Sequence, residues 1–111
     1  MGLDVRIRAP LPVDDGDDSE VFFEANITHN LTRMARAAGI YRHIWQSEGF
    51  VFAGDLIPKL TAAIELLQSN TVDFIEFEPR NGWGHRSMLL DFCKNLLTAC
   101  EKHPLGRYEA S

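Results

Sequence analysis

"VFFEANITHNLTRMARAAG", residues Val21 to Gly39, changes its hydrophobic period partway along, and that change decides the fold. Val21, Phe23, Ala25 and Ile27 alternate with Phe22, Glu24 and Asn26, the two-residue period of a strand with one buried face. From Leu31 the period lengthens. Leu31, Met34, Ala35 and Ala38 form a helical stripe that ends at Gly39, a residue type suited to closing helices. Between the two patterns, Thr28 or Asn26 is placed to cap the helix start by accepting a bond from a free backbone N–H of the first turn.

Toward the N-terminus, Leu3, Val5, Ile7 and Ala9 alternate with Asp4, Arg6 and Arg8 until Pro10. This is a second half-buried strand, and together the two predict a β-hairpin whose long loop carries the acidic run Asp14 to Glu20. Arg6 or Arg8 then faces Glu24 across the pair, an exposed contact worth a fraction of a kcal/mol. Toward the C-terminus, "IYRHIWQSE" predicts a short second helix with Ile40, Ile44 and Trp45 as its apolar edge. Asp55 reads as the cap of a third, "LIPKLTAAIELLQS", where Pro58 is tolerable in the first turn. Asn70 ends it, "TVDFIEF" adds one further turn, and "PRNGWG" is a turn by its Asn-Gly and Gly content. A last helix runs from about His85 to Lys102, with Met88, Leu89, Phe92, Cys93, Leu96, Leu97 and Cys100 on one broad face.

The expected architecture is a mainly helical α+β domain, an N-terminal two-stranded β-hairpin packed on three to four helices. One domain spans residues 1–111, with the hairpin and acidic loop in 1–27, helices in 28–103 and a tail in 104–111. The expected core is Val5, Ile7, Phe23, Ile27, Leu31, Met34, Leu60, Ile64, Leu67, Leu89, Phe92, Leu96 and Leu97.

At 111 residues the chain can bury roughly two thirds of its unfolded surface in one core. Hydrophobic residues at 45% and charged residues at 24% are the proportions of a globular protein that folds alone or as a small oligomer. The net charge of −5 repels a phosphate backbone, which argues against nucleic acid as a partner. No apolar run approaches the ~18 residues of a membrane span, and "MGLDVRIRAP" lacks the apolar core of a signal peptide. A cytoplasmic protein is expected. The triplets Asn26-Ile27-Thr28 and Asn30-Leu31-Thr32 are then not glycosylation sites, since that chemistry belongs to the secretory route. Cys93 and Cys100, seven apart on a helix, have backbones about 10 Å apart and cannot bridge each other, so buried free thiols are expected.

Two polar stretches carry the candidate chemistry. If the helix begins early, Asn26, Asn30 and Arg33 lie on one line and His29, Thr32, Arg33 and Arg36 on the next. Free backbone donors, an imidazole and guanidiniums at one helix start suit an anion or the polar edge of a planar ligand. The plain alternative is a doubly capped helix start with a solvated polar face. The second stretch is "RNGWGHR", where Asn81 and Gly82 form a turn, Trp83 offers a stacking surface and His85 opens the last helix. A Trp folded back onto its own helix is the plain alternative there. His29, His43, His85 and His103 show none of the spacings of a zinc site, and Asp14 to Glu20 does not match a calcium loop. No cofactor or metal is called for, and no catalytic residue is assigned.

"ANITHNLTRMARAAGIYRHIW", from Ala25 to Trp45, resembles a family of small proteins of unassigned function, many encoded by phages and prophages. Its members share Asn-Ile-Thr-His-Asn-Leu followed by Met-Ala and a Gly-Ile-Tyr segment ending in Trp. The resemblance resumes at "RNGWG" and the following helix, and extends to the tail Pro104-Leu105-Gly106-Arg107-Tyr108. It implies a shared fold and a shared polar signature at Asn26, Thr28, His29, Asn30, Tyr41, Asn81, Gly82, Trp83 and Gly84, with the host cell cytoplasm as location.

The first functional expectation is a small accessory protein that binds a polar or anionic, nucleotide-like ligand. Its site joins Asn26, Thr28, His29, Asn30, Arg33 and Tyr41 to Asn81, Trp83 and His85. The second is a protein interaction or host-inhibitor module using Phe22, Phe50, Phe52 and the acidic loop, since Phe50-Val51-Phe52 is apolar for a loop. A His29-dependent enzyme comes third, because no nucleophile or metal accompanies the imidazole.

Overall fold

The computed structural model describes residues 2–9, 21–46, 52–69 and 86–111. Strand β1, Gly2–Arg8, buries Leu3, Val5 and Ile7 and leaves Asp4, Arg6 and Arg8 half-buried on the other face, as its alternation requires. It pairs antiparallel with β2, Val21–Thr28, in a register that sets Leu3 opposite Ile27, Val5 opposite Ala25 and Ile7 opposite Phe23. Arg6 lies opposite Glu24 and their side chains meet at 2.7 Å, the cross-strand pair expected from the sequence. The register slips between Ile7 and Arg8, which is paired to Val21, so Phe22 occupies a bulge.

The hairpin is not the whole sheet. Residues Arg107–Ala110, expected as a tail, form β3 on the far side of β1, giving the order β2-β1-β3. Asp4 and Ser111 exchange both backbone hydrogen bonds at 2.9 Å, and Arg8 meets Glu109 at 2.6 Å. Tyr108 is buried under this strand, and its hydroxyl donates to the Ile44 carbonyl at 2.8 Å. Burial raises the ionisation of that hydroxyl far above its ordinary range. The chain enters β3 through Gly106, where a Cβ would lie 2.5 Å from the Ile7 side chain and 3.1 Å from the Arg8 carbonyl, so only glycine fits without displacing β1.

Helices cover one face of the sheet. A 3₁₀ turn, His29–Leu31, follows β2 directly, and α1 is Thr32–Ala37. The Thr28 hydroxyl accepts from the Asn30 N–H at 3.2 Å, one of the two caps expected. At the end of α1, Gly39 N–H donates to the Arg36 carbonyl and Ile40 N–H to the Ala35 carbonyl, with Gly39 at φ +77°. These two bonds define a Schellman close. It turns the chain straight into α2, Tyr41–Ile44, and buries Ile40 and Ile44. A 3₁₀ turn, Ala53–Leu56, then leads into α3, Ile57–Gln68, with Pro58 in its first turn. Asp55 does not start α3 itself; its carboxylate accepts from the Phe52 N–H at 3.2 Å and fixes the preceding turn. The last helix, α4, is Arg86–Lys102. It packs against α3, as their facing stripes Leu60, Ala63, Leu67 and Leu89, Cys93, Leu96 require.

Among the described residues the molecule is thus an α+β domain of four helices and a three-stranded antiparallel sheet. Ten of the thirteen expected core residues are buried; Phe23, Ile64 and Leu97 are only partly so. Among the described residues, no helix is long and apolar enough to cross a membrane. Asn70, the segment "TVDFIEF", the acidic run, Phe50 and the "RNGWG" turn lie outside the described residues.

Two substitutions probe these closures. Nothing lies within 4 Å of a Cβ built on Gly39, so Gly39→Ala adds only left-handed backbone strain and should lower stability by about 1–2 kcal/mol in a denaturant titration. Tyr108→Phe should cost about 1–3 kcal/mol, because it strands the buried Ile44 carbonyl without its donor.

Candidate functional site

The Schellman turn at Gly39 sets the last turn of α1 beside the first of α2, and four side chains line up across it. Arg36 lays its guanidinium over the Tyr41 ring, 4.2 Å from the centroid. Trp45, one turn after Tyr41, stacks on the same ring with centroids 5.6 Å apart and planes 19° off parallel. The Trp45 indole N–H donates to His29 Nδ1 at 3.0 Å. The result is a continuous ladder, Arg36, Tyr41, Trp45, His29, that ties the 3₁₀ turn, α1 and α2 together.

The bond to Trp45 fixes the chemistry of His29. An indole nitrogen only donates, so Nδ1 must accept, and the neutral imidazole keeps its proton on Nε2. Protonated His29 has no lone pair left for the indole. His29 therefore acts here as an acceptor held by an aromatic neighbour.

Beside the ladder lies an open hollow of about 480 Å³ lined by Arg36, Gly39, Tyr41, Arg42 and Gln46. Arg42 stands on α2 and Gln46 just beyond its end, so an amide and two guanidiniums line the hollow with Tyr41. The missing Cβ of Gly39 leaves backbone open to this hollow. A flat group could lie against Tyr41 with its negative charge between Arg36 and Arg42.

Of the expected site residues, His29 and Tyr41 are brought together by Trp45. Thr28 is occupied with its cap, and Asn30 supplies the N–H that this cap accepts. Asn30 and Arg33 are exposed beside the ladder's base. The expected helical line of Asn26, Asn30 and Arg33 does not exist, because β2 continues through Thr28. Asn26 belongs to the sheet, where its Nδ2 donates to Asp4 Oδ1 at 2.8 Å across the strand pair. Asn81, Trp83 and His85 lie outside the described residues. Trp45, Arg42 and Gln46 were missed, although a Trp N–H that needs a partner near a His is a signal the sequence contains.

Neither thiol lines this hollow. Cys93 and Cys100 are buried and unbridged on α4. Burial pushes both up to about 12, with the neighbouring Glu101 charge adding to the effect at Cys100. No group of three or more His, Cys, Asp or Glu that could hold a metal gathers among the described residues.

Comparisons with protein-family models, with curated proteins and with solved structures find no match.

A raised thiol ionisation leaves almost no thiolate near neutrality. Iodoacetamide at pH 8 should leave both cysteines unmodified in the native protein by intact mass, and modify both once denaturant is added.

Proposed function

We propose that the protein binds a small planar anion, nucleotide-like in chemistry, in the hollow beside the Arg36–Tyr41–Trp45–His29 ladder. The observation that carries this reading is the Tyr41 ring in contact with both Arg36 and Trp45, with Arg42 and Gln46 lining the hollow beside it. Stacking orders the ring and the guanidinium before any ligand arrives, which reduces the ordering cost of binding. In this reading Tyr41 recognises the plane, and Arg36 and Arg42 recognise the charge. His29 is a positioning residue that holds Trp45 upright. An accessory role of phage type rests on the sequence resemblance alone.

Calorimetric titration tests the assignment, with AMP and inorganic phosphate as separate probes. Saturable AMP binding is expected, weakened on the order of tenfold or more by Arg42→Ala and by Tyr41→Leu, because each removes one charge-assisted or stacking contact. Phosphate alone should bind far more weakly. Absence of heat with AMP up to millimolar concentration, or AMP binding indifferent to both variants, would overturn it.

A second reading, an interaction module without catalysis, draws on the exposed Phe22 and Phe52. The two separate on Tyr41→Leu, which removes AMP binding in the first reading and leaves partner capture intact in the second.

A further inference from the structure

A groove of about 730 Å³ runs between β2 and α4, away from the ladder. One end is fixed by Phe22, which stacks on the His103 ring at 4.3 Å and 12°. From there α4 extends back to Met88, about 21 Å of helix from Lys102, while β2 runs about 20 Å from Phe22 to Thr28. Strand and helix therefore lie antiparallel and match in length, and the groove walls carry Phe22 and Lys102 at one end and Thr28, Met88 and Asp91 at the other.

The strand wall is an edge. Because Asp4 bonds to Ser111, the alternation along β1 turns Asp4, Arg6 and Arg8 toward β3 and Leu3, Val5 and Ile7 toward β2. Opposite them, Phe23, Ala25 and Ile27 are spent on β1, and the backbone groups of Glu24 and Asn26 point outward with no strand beyond them among the described residues. Edge strands usually guard such groups with Lys, Pro or inward charge. β2 has no Lys or Pro, and its one charge, Glu24, is engaged by Arg6 on the sheet's outer face.

We propose that a second copy of this chain covers this edge, β2 pairing antiparallel with β2 about a two-fold axis at Ala25 to form a six-stranded sheet. A two-fold brings unlike ends of the groove together. It sets Lys102 and His103 of one copy near Asp91 of the other, and exposed Phe22 (36%) near exposed Met88 (45%), a favourable aromatic and thioether contact. The register centred on Ala25 faces Glu24 with Asn26 of the second copy rather than with its own like charge, and Phe23 with Ile27. Charge and apolar surface are thus self-complementary only in the antiparallel arrangement.

A charge exchange tests this without touching the core. Lys102 and Asp91 are both exposed and about 16 Å apart along one helix, too far to pair within a copy. By sedimentation equilibrium at low ionic strength, the wild-type chain should be a dimer, weakened at least fivefold by Lys102→Glu or by Asp91→Lys. The double variant should recover dimerisation. In parallel, the Glu24 and Asn26 amides should exchange slowly in the dimer and quickly on dilution. A wild-type monomer at high concentration would overturn the proposal, and so would a dimer insensitive to either single variant or not restored in the double. Glu24 and Asn26 amides slow at every dilution would place a segment of the same chain on the edge and equally overturn it.

Discussion

The sheet of this protein depends on a single strand that is bonded on both sides. β1 is seven residues long, yet its inner face contributes Leu3, Val5 and Ile7 to the core, and its two edges receive β2 and β3. The alternation that buries one face also assigns its backbone groups, odd-numbered residues to β2 and even-numbered residues to β3. Two ion pairs mark those two sides, Arg6 with Glu24 and Arg8 with Glu109. The exposed Arg6–Glu24 pair contributes little, whereas Arg8–Glu109 is partly buried; both favour one register.

From β1 the constraint passes to the candidate site. β3 carries Tyr108 inward, and its hydroxyl bonds the last carbonyl of α2. That bond fixes the end of the helix on which Tyr41 and Trp45 stand. At the other end of α2 the Gly39 close fixes its junction with α1, and the Trp45 to His29 bond ties it to the residue that follows β2. The ladder is therefore held from the sheet, from the turn and from the strand exit. Its preorganisation is a consequence of how the chain closes on itself.

Much of this was legible in the sequence. The alternation of Leu3, Val5 and Ile7, the change of period at Leu31 and the stripe from Leu89 to Cys100 each stated their element plainly, because each buries one regular face. Arg6 opposite Glu24 and Thr28 as a cap also followed from residue type and position. β3 did not, since Arg107–Ala110 is four residues with a single large apolar side chain, too short for its period to stand out from a tail. Asn26 was misplaced for a related reason: an Asn before Thr-His-Asn reads as a helix cap, yet its place between Ala25 and Ile27 already fitted the strand period. The ladder was only half visible. His29, Arg36 and Tyr41 drew attention as polar or aromatic residues, but Trp45 read as apolar edge, and no periodicity states that an indole will meet an imidazole sixteen residues earlier.

The central claim is that β1 is bonded on both sides, and residue-resolved hydrogen exchange tests it most directly. Slow exchange at consecutive amides from Leu3 to Ile7 is the predicted result, because odd and even positions are protected by different neighbours. Protection confined to Leu3, Val5 and Ile7, with rapid exchange at Asp4 and Arg6, would contradict the account. It would leave a simple hairpin with a free tail, and α2 without its anchor at Tyr108.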